Sequence, residues 1–180
     1  MNVLARISRL RRVFSALAVL AGLVLAAGCA ELTARHLESR NWNPSAEQTL
    51  TMRHWRFTFV SVPTRQSYGI KGTATALADT LPAWVDRVQE LTLTAYLRDA
   101  EGVVLATDQK TYLPMSLSDA SAVSFDFFLA PESRRPDTSL SVSFGYRAVF
   151  TSASAVRAAA GGKLPAQFVF FAGESALMRE

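Results

Sequence analysis

Cysteine is nearly absent from this 180-residue chain, which contains only Cys29. A lone cysteine excludes an internal disulfide and any multi-cysteine metal cage. Histidine is almost as scarce, with His36 and His54 alone and no H-x-x-x-H pair. A zinc site would therefore have to recruit carboxylates from distant segments, and neither a metal nor a cofactor is expected. An excess of either charge is also missing once the first 28 residues are set aside. The formal net charge is +4, and Arg6, Arg9, Arg11 and Arg12 account for all of it; the remaining 15 Lys and Arg are matched by 15 Asp and Glu. A neutral domain attracts phosphates weakly, so nucleic acid is not an expected partner. The nucleophile elbow G-x-S-x-G is absent, as are G-x-x-x-x-G-K-[ST] and G-x-G-x-x-G. Ala159-Ala160-Gly161-Gly162-Lys163 has the wrong spacing for a phosphate loop and no Ser or Thr after the lysine, so it reads as a flexible turn. The acids are scattered. Asp99 and Glu101 read as turn residues, and Asp126, between Phe125 and Phe127, points away from their core.

What is present begins with a leader. Met1–Arg12 is basic, and Val13–Ala27 is fifteen residues without a charge. A spanning helix needs about 20 apolar residues, so this run suits the apolar region of a signal peptide. The small residues Ala26, Ala27 and Gly28 then lead to the cysteine. Leu25-Ala26-Ala27-Gly28-Cys29 resembles the lipobox of bacterial lipoproteins. The resemblance implies that the Cys29 thiol receives a diacylglycerol, that cleavage falls between Gly28 and Cys29, and that the new amine is acylated. The commonest pattern has Leu three residues before the cysteine; here Ala26 holds that position and Leu25 lies one further back. Acylation also accounts for an otherwise free thiol in a secreted chain, and two or three acyl chains anchor stably where one does not. The alternatives are an uncleaved anchor helix or an ordinary discarded leader. Arg11-Arg12-Val13-Phe14 partly resembles a twin-arginine export motif, but Leu10 and Ser15 depart from it, which favours the general secretory route. In many Gram-negative bacteria an Asp after the lipidated cysteine retains a lipoprotein in the inner membrane. Ala30 stands there, so the resemblance implies the periplasmic face of the outer membrane.

The domain organisation expected is therefore a signal peptide over 1–28, a lipidated N-terminus and tether over 29–48, and a β-domain over 49–180. Residues 30–48 are polar, with Asn41, Asn43 and Pro44 as breakers and Glu31–Arg40 as a candidate short helix. As flexible coil such a tether reaches about 25 Å. Period two then takes over. Strands are expected at Thr51–Val60, Tyr68–Leu77, Leu91–Leu97, Val103–Leu113, Val123–Leu129, Leu140–Phe150 and Phe168–Phe171. Gly69 and Gly72 suggest a bulge or a close contact. Asp99-Ala100-Glu101-Gly102 is the turn of a hairpin that resembles those of immunoglobulin-like envelope domains. About seven strands with little helical periodicity imply an all-β fold, a single antiparallel β-sandwich, with a small β-barrel as the alternative.

Most of the eleven Phe, four Tyr and three Trp occupy alternating positions and read as core. Trp84, beside Pro82 in a connection, and Trp42, in the tether, fit that pattern less well and are the candidate binding surface. The reading that emerges is a lipid-anchored envelope protein that works without catalysis as an interaction or scaffold module, docking an envelope partner at a strand edge. A periplasmic module for a small or lipidic ligand is the alternative, and an uncharacterised hydrolase comes third. An exposed edge favours the first, a deep apolar pocket the second, and clustered titratable groups in a cleft the third.

Overall fold

The computed structural model describes residues 31–65, 67–117, 122–132 and 140–179. The leader, with Gly28 and Cys29, lies outside the described residues. In chain order the strands are β1 (Glu31–Thr33), β2 (Arg40–Asn41), β3 (Glu47–Thr51), β4 (Trp55–Pro63), β5 (Tyr68–Ala76), β6 (Arg87–Arg98), β7 (Val104–Tyr112), β8 (Met115–Ser116), β9 (Ala122–Leu129), β10 (Ser141–Thr151), β11 (Phe170–Glu174) and β12 (Leu177–Arg179). Helix α1 (Ala153–Ala159) follows β10, with Ser152 as its N-cap accepting from the Ala155 N–H. Each of the seven expected strands has a counterpart. The period-two signal is physical: in β4, Trp55, Phe57, Phe59 and Ser61 are buried while Arg56 and Val60 are exposed.

The strands form a sandwich of two sheets. One has the order β11-β10-β6-β7, with β2 also on β10 and β8 also on β6; the other has the order β3-β4-β5-β9. β1 and β12 make a separate two-stranded ribbon. Pairing within both larger sheets is antiparallel. Aromatic rings fill the space between them: Phe144 of β10 stacks on Phe57 of β4 at 4.4 Å and meets Phe59, Phe125 and Phe127 within 6.4 Å.

The sheets do not close into a barrel, and the flanks show why. At one flank β7 faces β9 through side chains, not a ladder. Asp108 accepts from the Phe128 N–H at 2.9 Å, and the Tyr112 hydroxyl donates to the Ser124 carbonyl at 3.0 Å. At the other flank β2 reaches β3 in the same way: Arg40 Nε donates to the Thr49 carbonyl at 2.9 Å, and Gln48 Nε2 to the Asn41 carbonyl at 3.1 Å. Side chains thus satisfy edges that would otherwise invite aggregation. β11 continues the line of β2 along β10, and its Glu174 side chain accepts from the Arg53 N–H of the turn between β3 and β4.

The segment expected as a tether is instead docked. Leu32–Arg179 form one compact unit, and Ala34, Leu37 and Trp42 are buried in its core. Glu31–Arg40 is a strand and a turn, not a helix. Thr33 bridges Val103, and the Ala34 N–H bonds the Gly102 carbonyl at 2.9 Å. Gly102 closes the expected hairpin turn with φ +83°, and a Cβ there would lie 3.0 Å from the Arg35 backbone, so both its torsion and its neighbour require glycine. The clamp is Arg98, which donates to the carbonyls of Ala34 and Leu37 and to the hydroxyls of Ser39 and Ser141. Removing it strands the Leu37 carbonyl and leaves the Ala34 carbonyl with the Leu37 N–H alone, so Arg98→Ala is expected to cost about 2 kcal/mol. Trypsin should then cut after Arg35 or Arg40 in the folded variant and not in the wild type. Equal resistance would show that the segment is held by other contacts.

Candidate functional site

The two tryptophans singled out from the sequence part company. Trp42 is 6% exposed and meets Tyr68 edge-on at 4.9 Å, so it is core, not a binding surface. It was read as tether because its neighbours are polar; one isolated ring carries no period. Trp84 is half-buried, edge-on to Phe168 at 6.1 Å. The structure does not bring the two together at a site.

A different group of residues does converge. The expected strand Thr51–Val60 is broken at Met52–His54, where the Met52 N–H bonds the Trp55 carbonyl at 2.8 Å. This turn carries Arg53, which is exposed, and His54, which is only 4% exposed. The Arg53 backbone N–H donates to Glu174 Oε1 at 3.0 Å, and the Tyr146 hydroxyl donates to the same oxygen at 3.1 Å. Register places Glu174 directly opposite Tyr146, so β10 and β11 fix the carboxylate and the turn comes to meet it. Among the described residues the Arg53 guanidinium enters no ion pair; the pairs present are Arg40–Glu38, Lys71–Asp126 and Arg147–Glu90.

His54 is held by Thr80, with Nδ1 to Oγ1 at 2.8 Å. The single Thr80 hydroxyl proton goes to the Leu77 carbonyl at 2.7 Å. Nδ1 therefore carries the hydrogen and donates. Burial, with the nearby Arg53 cation, lowers the His54 pKa against the opposing pull of Glu174. Burial pushes the Tyr146 phenol up, and the Glu174 carboxylate adds to the effect. At neutral pH both rings are uncharged, and the polar balance rests on Arg53 and Glu174. These side chains border a cleft of about 490 Å³ whose remaining wall is five consecutive residues, Phe170–Glu174. A wall made of one whole strand means that the cleft runs along the β11 edge. Phe171 on that edge is 74% exposed, whereas Phe168–Phe171 had been expected as a buried strand.

Sequence reasoning did not find this cleft. Its parts lie at 53–54, 146 and 170–174, and no local spacing links them. One signal was available: Glu174 ends an otherwise apolar strand run, at a position whose neighbours Phe170 and Ala172 pack against the core.

A second depression, about 850 Å³, lies on the outer face of the β6–β7 pair. Its floor is a hydroxyl-rich lattice set by register: Arg147–Thr92–Thr111 in one row and Gly145–Thr94–Gln109 in the next. Tyr96 lies over Gly145, where a Cβ would come within 2.9 Å of its ring, and accepts from the Ala176 N–H. This face is solvated strand surface. Among the described residues no group of three or more His, Cys, Asp or Glu is placed to hold a metal, and no helix is long and apolar enough to cross a membrane. Comparison with protein-family models, with curated proteins and with solved structures finds no match in any of the three.

Proposed function

We propose that this chain is a lipid-anchored envelope protein whose sandwich is a non-catalytic interaction or scaffold module, docking its partner along the edge of β11. The observation that carries the reading is that edge: among the described residues β11 pairs with no strand beyond β10, bears an exposed Phe171 and is bordered by a cleft. Rings pack the space between the sheets, where the ligand-binding alternative would need its cavity. The titratable cleft gives the hydrolase reading less than it first suggests. Glu174 already accepts two hydrogen bonds, and the lining offers no Ser, Thr, Cys or Lys as nucleophile.

The anchor is acylated Cys29, freed by cleavage after Gly28, and Ala30 directs it to the outer membrane. Only Ala30 and Glu31 separate Cys29 from Leu32, where the compact unit begins. The link spans at most about 10 Å, not the 25 Å of a flexible tether.

The test is Cys29→Ser in the native host. The variant should leave the membrane fraction and lose its acyl chains, yet melt at an unchanged temperature, because residue 29 lies outside the Leu32–Arg179 unit. A variant that remains acylated and membrane-bound would overturn the anchor.

A further inference from the structure

We infer that the β1–β12 ribbon is a second membrane contact, which seats Leu177 and Met178 in the headgroup layer of the bilayer that holds acylated Cys29. This rests on the lipid-anchor reading and adds to it the orientation of the domain.

The ribbon shows apolar side chains to solvent on both faces. Successive strand residues point to opposite faces, and Leu177 and Met178 are 56% and 67% exposed. Among the described residues β12 has β1 as its one strand partner. A protein partner covers one face of such a ribbon and leaves the other side chain in water. A headgroup layer surrounds both. The backbone beside them is tied down. Leu32 and Ala176 pack against the core, His36 Nε2 donates to the Ser175 carbonyl at 3.0 Å, and the Ala176 N–H donates to the Tyr96 hydroxyl at 3.3 Å. Leu177 and Met178 are therefore held out from the sandwich by a fixed support.

Position selects lipid as the occupant. β1 begins at Glu31, two residues after Cys29, and two residues span at most about 7 Å. β12 lies beside β1 at the ordinary strand spacing of about 4.8 Å. The headgroup layer is roughly 5–7 Å deep, so acyl chains on Cys29 hold the ribbon in that layer or against it. Insertion stops there, because the outer backbone groups of a two-stranded ribbon need water, which the hydrocarbon core lacks. Glu31 and Arg179, the ribbon's two charged residues, cancel. The contact is apolar and needs no anionic lipid. Two side chains bury less apolar area than one myristoyl chain, which itself binds only marginally; with the acyl chains in place they set the tilt of the domain. Only Ser175 and Ala176 join β11 to β12, so a seated ribbon turns the Glu174 end of β11 toward the bilayer.

The test uses the full acylated protein, checked by intact mass and reconstituted into neutral phosphatidylcholine vesicles. Acylation consumes the one native thiol. A cysteine introduced by Leu177→Cys, Met178→Cys or, as the control, Leu113→Cys therefore takes a polarity-sensitive dye alone. All three side chains are exposed, and melting curves check that each variant folds. Leu113 lies just past the far end of β7, about 30 Å along the strand from the Val103 that bridges Thr33. The labels at 177 and 178 should emit further to the blue than the label at 113. They should be quenched several-fold more by lipid carrying a nitroxide near its headgroup, and several-fold less by aqueous iodide. Labels at 177 and 178 as open to iodide as the label at 113, on protein that is acylated and floats with the vesicles, would overturn the ribbon contact and leave the anchor standing. Protection of only one of the two positions would also overturn it, since a single covered face is the mark of a protein partner. So would protection that fades as the protein is diluted in lipid, which gives the ribbon to a second copy. Protein that carries no acyl chains would overturn the anchor reading, and the ribbon contact with it.

Discussion

Phe144→Ala is expected to lower the unfolding free energy by about 4 kcal/mol. Phe144 is fully buried at the centre of the inter-sheet layer, with its ring parallel to Phe57 at 4.4 Å and edge-on to Phe59 at 5.0 Å. Phe125 and Phe127 complete the surround at 5.5 and 6.4 Å. Truncation removes the ring's transfer free energy and leaves a cavity that four aromatic neighbours held on two sheets collapse poorly. Aromatic pairing adds roughly 0.5–1.5 kcal/mol per lost pair beyond buried area. Urea unfolding monitored by tryptophan fluorescence reads the change, with an unaltered denaturant slope as evidence that the unfolded state is the same. A loss below about 1 kcal/mol, the scale of a surface substitution, would mean that Phe144 does not lie between the sheets.

Gly72→Ala is the second large effect, expected at about 3 kcal/mol. Gly72 lies in β5 in the row Phe59–Gly72–Phe125. A Cβ built there collides with the Thr58 carbonyl oxygen and comes within 2.8 Å of the Phe59 Cα. These are backbone atoms of the paired strand, so no rotamer change relieves the contact and the β4–β5 ladder must shift. Replacing glycine also stiffens the unfolded chain, a compensation of about 0.4–1 kcal/mol, too small to cancel the clash. Gly161 is the control. It has φ +83° and nothing within 4 Å of its would-be Cβ, so Gly161→Ala carries only the local torsional strain, about 1 kcal/mol. If the two alanine variants unfold at the same denaturant concentration, the close approach at Gly72 is not real.

The fold was legible where one face of a strand is buried and the other wet. β4 is the clearest case: Trp55, Phe57 and Phe59 are buried at every second residue while Arg56 and Val60 are exposed, and the sequence shows that alternation directly. The Asp99–Gly102 turn was legible because its glycine occupies a torsion that other residues resist. Residues 31–48 were not. They are docked by single apolar anchors, Ala34, Leu37 and Trp42, and by hydrogen bonds from Arg98, and neither repeats along the chain. β11 was legible as a strand but not as an edge, because edge status depends on which strands fail to pair with it. The cleft was invisible for the same reason. Arg53 and Glu174 are 121 residues apart, and only the meeting of β10, β11 and the turn after β3 joins them. Trp42 and Trp84 stand out because they lie outside the alternating runs, and exposure separates them from Phe171, which the sequence pattern places in the core.

The cleft and the leader address different parts of one proposal: what the domain holds, and where. The leader is the prior question, since a domain within about 10 Å of a bilayer meets a different set of partners from a freely diffusing one. The most direct test is the intact mass of the protein extracted from its native membranes. The account predicts the mass of residues 29–180 plus two or three acyl chains on Cys29. The mass of unmodified residues 1–180 would contradict it, leaving Val13–Ala27 as retained sequence and Cys29 as a plain thiol.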